Sequence, residues 1–380
     1  MKVYIWGTCM LAMTCLEDLL PDIELLGFVE SKPTKELFVG KKIISGKQLL
    51  REAFDYVILA NGHEEEILNQ YVLDNDKVVH YRMLGEVDEN EKVLCYRKGG
   101  EKLKNYLFKS QRELEIVEQA RKVMPYISVE TDDMAFVFNN KDVLIPNLMV
   151  AYGKTFSREE MEFVYEYATK YENGYFLEIG ANVGTSSIYF KKKLVNSLQY
   201  ICFEPLKENV KCLKINCILN ECEDILVENV GISNKEQEQD MYIFDGAYGS
   251  SMVCSEEIAN TRCKFVTLDN YVDKSNIDKS KIAYIWVDVQ GHELEVVEGA
   301  IQTLKDSPAS LYIEFNINIY RNVEGKVRRF LALLSSIYKK FIIFEQFEKG
   351  DKRIRDIEEL YMIEEEFNGD IECCNILFTK

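Results

Sequence analysis

The stretch that most constrains this chain is Tyr175-Phe176-Leu177-Glu178-Ile179-Gly180-Ala181-Asn182-Val183-Gly184, followed by Thr185-Ser186-Ser187. Tyr175 to Ile179 reads as a short buried strand, and the three hydroxyl residues are of the kind that open a helix. A strand that enters a helix through a turn with two glycines offers bare backbone and unpaired N–H groups to a ligand. Gly180 takes the tight turn, Gly184 lets helix and strand pack closely, and Glu178 holds a carboxylate at the strand end. This is the architecture of a nucleotide-type cofactor site. The competing reading is an ordinary glycine-rich connection.

The spacing separates two versions of such a site. A dinucleotide fingerprint needs Gly-x-Gly-x-x-Gly, its second glycine clearing space for a pyrophosphate, and here Asn182 stands at that position. Glu178 would also repel a diphosphate, yet it suits a cation or an ammonium group. S-adenosylmethionine carries both a sulfonium and an amino group, and it is the cofactor this turn favours.

At 380 residues the chain has room for two or three domains. An apolar content of 47%, with 22 Tyr, 20 Phe and only 6 Pro, is that of a globular protein. The net charge of −18 disfavours nucleic acid and anionic membrane as partners. The 11 cysteines contain no Cys-x-x-Cys pair. Cys212, Cys217 and Cys222 recur at a spacing that turns them about 140° apart on a helix, so they do not converge on one ion. They read as buried reduced thiols and point to the cytoplasm. The apolar run after Met1-Lys2 fits a first strand and helix better than a cleaved leader, and no stretch reaches the roughly 18 apolar residues of a membrane span.

Residues 3–6, 25–29, 42–44 and 56–60 read as strands and 10–20 as a helix, an alternation that argues for a small parallel sheet. Gly7-Thr8-Cys9-Met10-Leu11-Ala12 sits where a phosphate loop would, with Cys9 and Ala12 at two of its glycine positions. The pattern resembles the small Rossmann-like domains that precede some sugar-modifying enzymes, and it carries no function across. His63 and His80 fall near strand ends and read as structural. Gly99-Gly100 marks a boundary. An amphipathic linker helix is expected over 104–123, a hairpin over 136–145 around Asn139-Asn140, and a helix over 159–171. The expected domains are 1–98, a linker helix and hairpin over 99–150, and 151–380.

From residue 175 onward strands at 175–180, 199–204, 225–230, 282–288, 309–315 and 341–347 alternate with helices, and a last strand lies at 374–378. A polar insertion fills 233–263. The order predicts an α/β fold with a doubly wound seven-stranded sheet, in which ligands bind beyond the C-terminal ends of the strands. Glu204 ends the second strand where a carboxylate accepts hydrogen bonds from ribose hydroxyls. Asp288, His292 and Glu293 gather after the fourth strand, and Glu314 lies at the end of the fifth. A histidine near its ordinary pKa of about 6.5 is suited to take a proton from an attacking hydroxyl. No ligand set here has metal-site spacing, and no metal is expected.

Leu177 to Gly184, Phe203-Glu204-Pro205, Val266 to Tyr271, Asp288 to Glu293, Gly299-Ala300 and the Pro308 to Glu314 segment together resemble the FkbM family of S-adenosylmethionine-dependent methyltransferases. The resemblance covers roughly residues 150–320. It implies a class I methyltransferase fold and transfer to oxygen, with sugar or macrolide hydroxyls as acceptors. It further implies that Glu178, Gly180, Asn182, Gly184, Glu204 and Asp288 hold the cofactor. Glu178 stands where many relatives have Asp, and Gln290 where many have Glu. Ser250 and Ser251, in the insertion, are candidates for a lid or acceptor contact together with Glu314, and His292 assisted by Asp288 is the expected base.

Two rival readings remain. One is an NAD-dependent nucleotide-sugar dehydrogenase or epimerase using the first domain, against which the missing glycines at Cys9 and Ala12 count. The other is a non-catalytic scaffold in a glycan-assembly pathway, which would show damaged cofactor residues. A small-molecule or glycan hydroxyl acceptor is the expected partner, and self-association into a homo-oligomer is left open.

Overall fold

The computed structural model describes residues 1–8, 12, 15, 16, 19, 23–33, 35–60, 64–74, 77–81, 95–96, 126–171, 173–195, 197–244, 246–316, 325–348, 350–363 and 373–380. Most of the helix expected over 10–20, the Gly99-Gly100 boundary and the linker helix over 104–123 lie outside them. The chain divides into two compact units, one of residues 1–125 with 150–153 and the other of 126–149 with 154–380.

The first unit is a seven-stranded sheet of β1 (Lys2–Trp6), β2 (Glu24–Glu30), β3 (Leu37–Phe38), β4 (Lys41–Ser45), β5 (Tyr56–Leu59), β6 (Val78–Tyr81) and β7 (Cys95–Tyr96). Its order is β3-β4-β2-β1-β5-β6-β7. The pairs β1–β2, β1–β5, β2–β4 and β5–β6 are parallel, and the two-residue strands at the edges are antiparallel. A parallel sheet is covered on both faces, and β1 shows it. Val3 and Ile5 enter one core with Phe28 and Ile58, while Tyr4 and Trp6 enter the other with Val57, Leu59 and Tyr71.

The second unit begins with a hairpin, β8 (Tyr126–Thr131) and β9 (Met134–Asn139), paired antiparallel throughout. The expected hairpin around Asn139-Asn140 is thus displaced. The turn is made by Asp132 and Asp133, both left-handed at φ 54° and 60°, as a two-residue hairpin turn requires. Asn139 instead closes a local turn, its side chain accepting the Lys141 N–H at 2.9 Å. Asn216 and Asn220, on the helix Lys207–Leu219 and at its end, satisfy the outer edge of β9. Each carboxamide exchanges hydrogen bonds with the backbone of Val137 or Ala135.

The main sheet holds β10 (Gly174–Ile179), β11 (Leu198–Phe203), β12 (Leu226–Glu228), β17 (Ile282–Val287), β18 (Ser310–Asn316), β19 (Lys340–Ile343), β20 (Arg355–Asp356) and β21 (Cys373–Thr379). Their order is β12-β11-β10-β17-β18-β21-β19-β20, with β21 antiparallel between β18 and β19. Without the two-residue β20, the seven strands run 3-2-1-4-5-7-6 with the seventh reversed, which is the class I methyltransferase sheet. Every residue of β17 is buried. Ile285 and Val287 face one core while Tyr284 and Trp286 face the other.

The insertion is itself folded. β13 (Gly231–Ile232), β14 (Gln237–Phe244), β15 (Ala247–Val253) and β16 (Thr261–Val266) form a separate sheet in the order β13-β16-β14-β15. Two further elements differ from expectation. The helix over 293–305 breaks into Glu293–Glu298 and Ile301–Asp306 at Gly299-Ala300, where a Cβ on Gly299 would stand 2.0 Å from the Ser233 carbonyl. The strand over 341–347 stops at Ile343, and a helix Phe344–Glu348 follows.

Candidate functional site

β10, β11 and β17 end side by side, and their loops make the floor of a cleft. The glycine turn after β10 is bound to its neighbours. Gly180 and Ala181 both donate to the Phe203 carbonyl at 3.0 Å, and Asp288 donates its N–H to the Ile179 carbonyl at 3.1 Å. Gly180 (φ 85°) admits no side chain, since a Cβ would lie 1.8 Å from the Asp288 carbonyl. Asn182 (φ 48°) and Gly184 (φ 83°) continue the turn in left-handed backbone. Gly184 faces Leu213 of the next helix.

Glu204 is central to this floor. Only 4% exposed, it accepts the Asn182 N–H at 2.8 Å on one oxygen and the Leu206 N–H at 2.9 Å on the other. Asn209 adds a longer contact at 3.4 Å. Burial pushes its carboxyl up to about 7, with those donors opposing the rise.

Glu178 is placed differently from the residues expected beside it. It is 2% exposed, and it does not line the cleft. Side chains alternate along a strand, so Glu178 points with Phe176 toward the layer beneath. There it accepts the Ser187 N–H at 3.2 Å, the Ser187 hydroxyl and the Cys202 thiol at 3.6 Å. Its carboxylate caps the helix that starts at Thr185. Burial raises it to about 7.

At the other end of the floor, Gln290 joins two carboxyl groups. Its amide donates to Asp288 Oδ1 at 2.6 Å and to Glu314 Oε2 at 3.1 Å. Asp288 is held above the usual carboxylate range by burial. A third carboxyl group, Glu160 on the helix Arg158–Tyr167, accepts the Tyr312 hydroxyl at 3.1 Å. Burial first, and then the charges of Asp288 and Glu345, raise Glu160 to about 8.

His292 lines the cleft, but its ring nitrogens face protein partners. Nε2 lies 2.9 Å from the hydroxyl of buried Ser233, and Nδ1 lies 3.6 Å from Glu295 Oε2. Lys326 completes the chain at 3.1 Å from Glu295 and 3.4 Å from the Gly291 carbonyl. Burial lowers the imidazole to about 4, so it is neutral at pH 7. Among the described residues no three His, Cys, Asp or Glu side chains form a metal-binding group. Cys212, Cys217 and Cys222 are buried as free thiols.

The insertion supplies the rest of the wall. Gly249, Ser251 and Val253 of β15 line the cleft, while Ser250 does not. Leu206, Ile232, Met241 and Phe265 give an apolar end. Asn182 Oδ1 and Ser251 Oγ are buried without a hydrogen-bond partner among the described residues. The cleft therefore offers an apolar slot, the carboxyl group of Glu204, the unsatisfied polar atoms of Asn182 and Ser251, and Asp288, whose partner Glu314 does not line the cleft. Sequence reasoning missed Gln290 as a link between carboxyl groups and Ser233 as the partner of His292. The signal available was the loop spacing that puts Gln290 two residues from Asp288.

Residues 178–341 match the model of the methyltransferase FkbM domain, and residues 1–84 match that of a C2185-like N-terminal domain. No curated protein matches the chain. Among solved structures, it is similar to a methyltransferase FkbM from Methylobacillus flagellatus, at 13% identity over 99% of this chain and 89% of that one, with a TM-score of 0.38. It is similar also to an O-methyltransferase from Bacillus cereus in complex with SAH, at 12% identity over 73% and 96%, with a TM-score of 0.36. A SAM-dependent O-methyltransferase from Thermotoga maritima shares 10% identity over 67% and 78%, with a TM-score of 0.34. At these scores the solved structures add nothing to what the strand order establishes. The stretch 178–341, which carries the glycine turn, Glu204 and the Asp288 loop, is thus matched by the methyltransferase FkbM domain.

Proposed function

We propose that the cleft binds S-adenosylmethionine and that the protein transfers its methyl group to a hydroxyl of a sugar, a polysaccharide or a related natural product. The observation that carries the oxygen assignment is Asp288, which lines the cleft and is joined through the Gln290 amide to Glu314 behind it. A hydroxyl acceptor must lose a proton as it attacks, and a carboxylate held above its usual range by burial is better suited to accept it than a fully solvated one.

The residues present fit the cofactor. The glycine turn leaves no room for side chains beneath it, Glu204 presents a carboxylate to a sugar diol, and the apolar end suits a flat base. When bound, S-adenosylmethionine supplies an activated methyl group on a sulfonium. The chain's own task is then placement, worth up to about 7–11 kcal/mol where reacting atoms are held in attack geometry. Asp288 takes the acceptor proton in this reading, and Gln290 holds its Oδ1 in place. His292, bonded to Ser233 and facing Glu295, fixes the loop that carries Asp288 and does not take the proton itself. The protein works in the cytoplasm and needs no metal.

Incubation with isotopically labelled S-adenosylmethionine and a panel of glycans, nucleotide sugars and amines tests the acceptor class. Label on a hydroxyl oxygen supports the reading. Label only on nitrogen or carbon contradicts it.

A further inference from the structure

The strand that roofs the cleft comes from the insertion, outside the glycine turn and the strand ends that mark the site. β15 is the edge strand of its sheet, and its cleft-lining residues Gly249, Ser251 and Val253 alternate as strand residues on one face do. The two ends of this row are fixed by contacts. A Cβ on Gly249 would stand 3.0 Å from Asn182 Nδ2. Val253 pairs with Met241, which packs with Leu206 and Phe265 at the apolar end. Ser251 therefore lies between the Asn182 end and the Leu206 end. Glu204 occupies the same interval on the floor, because it accepts the N–H of Asn182 and the N–H of Leu206.

Ser251 Oγ and Asn182 Oδ1 are both buried and without a partner among the described residues. Native structures leave few buried polar atoms unpaired, and each that remains calls for a partner. A vicinal diol satisfies both. Ionised Glu204 and the Asn182 side-chain oxygen can only accept, so each takes one hydroxyl proton, and Ser251 can donate to a hydroxyl oxygen. We propose that Ser251 and Asn182 hydrogen-bond the ribose hydroxyls of the cofactor from above and beside Glu204, making the inserted hairpin part of the cofactor site. The assignment rests on the cofactor reading given above.

Calorimetric titration of the full chain, of Ser251→Ala and of Ser251→Cys with S-adenosylhomocysteine, methylthioadenosine, adenosine and dideoxyadenosine tests it. Loss of one neutral hydrogen bond weakens binding by about three- to tenfold. That loss is expected equally for S-adenosylhomocysteine, methylthioadenosine and adenosine, and not for dideoxyadenosine, which lacks the diol. The cysteine variant, close in shape but a weak hydrogen-bonding partner, repeats the loss and guards against an effect of the alanine on folding. Unchanged affinity in both variants overturns the assignment. So does a loss confined to S-adenosylhomocysteine, which puts Ser251 at the amino-acid end, or a loss shared by dideoxyadenosine, which puts it at the base. Failure of the unmodified protein to bind S-adenosylhomocysteine overturns the cofactor reading itself.

Discussion

Asn182 donates its backbone N–H to Glu204 at 2.8 Å, so the glycine turn after β10 is tied to the end of β11 through a buried carboxylate. The same carboxylate accepts Leu206 N–H. Glu204→Ala leaves two backbone donors without their partner, at about 1–3 kcal/mol for each buried one. We expect the alanine variant to lose both thermal stability and S-adenosylhomocysteine binding. Glu204→Gln keeps one accepting oxygen and should lose less stability than affinity, as read by melting curves and titration on the same samples.

Gly180 and Gly325 share a left-handed backbone but not its consequences. A Cβ on Gly180 meets the Asp288 carbonyl at 1.8 Å, whereas one on Gly325 meets nothing within 4 Å among the described residues. Gly325→Ala should cost about 1 kcal/mol, the conformational penalty alone. Gly180→Ala should cost about 3 kcal/mol or more and displace the Asp288 loop. Urea unfolding of the two variants separates them, and equal costs would contradict the close approach.

Asp288→Asn removes the group assigned to take the acceptor proton. The expected result is a fall in kcat of about 10²- to 10⁴-fold, with S-adenosylhomocysteine affinity little changed. His292→Ala should reduce kcat less and melting temperature more, since it strips the partner from buried Ser233. The reverse ranking would return the base role to His292.

Burial raises Glu178 to about 7 in the fold, above the unfolded value near 4.3. A group raised in this way adds stability that is fully present below its unfolded pKa and is lost as pH rises through the folded one. Between about pH 5 and pH 8 the linked change is about 3 kcal/mol. His292 works in the opposite sense, because its lowered pKa of about 4 makes it lose stability as pH falls below its unfolded value. Glu178→Gln should therefore reduce the loss of stability on the alkaline side by its own share, leaving those of Glu204 and Glu160, and leave the contribution of His292 on the acid side unchanged. Melting curves from pH 4 to pH 9 provide the check.

The parts of the site that could be read from the residues are those where backbone geometry dictates residue type. Gly180, Asn182 and Gly184 all take positive φ, and a strand end two residues before Leu206 left Glu204 little other place. The alternation of strands and helices implies a doubly wound α/β sheet, but not the spatial order of its strands. Glu178 was less legible, because a buried strand is apolar on both faces and its alternation does not say which face meets the ligand. Asp132-Asp133 lacks the glycine that marks most two-residue turns, and the pairing of β8 with β9 is what fixes its backbone. The roof was hidden for a different reason. β15 reaches the cleft only through pairing with β14 across the insertion, and no local pattern around Ser251 encodes that contact.

The central claim is that the cleft floored by Gly180, Asn182 and Glu204 holds S-adenosylmethionine, and calorimetric titration of the full chain tests it most directly. S-adenosylhomocysteine should bind one to one, S-adenosylmethionine should compete for the same site, and Glu204→Ala should abolish both. Binding of NAD with no response to either S-adenosyl compound would contradict it.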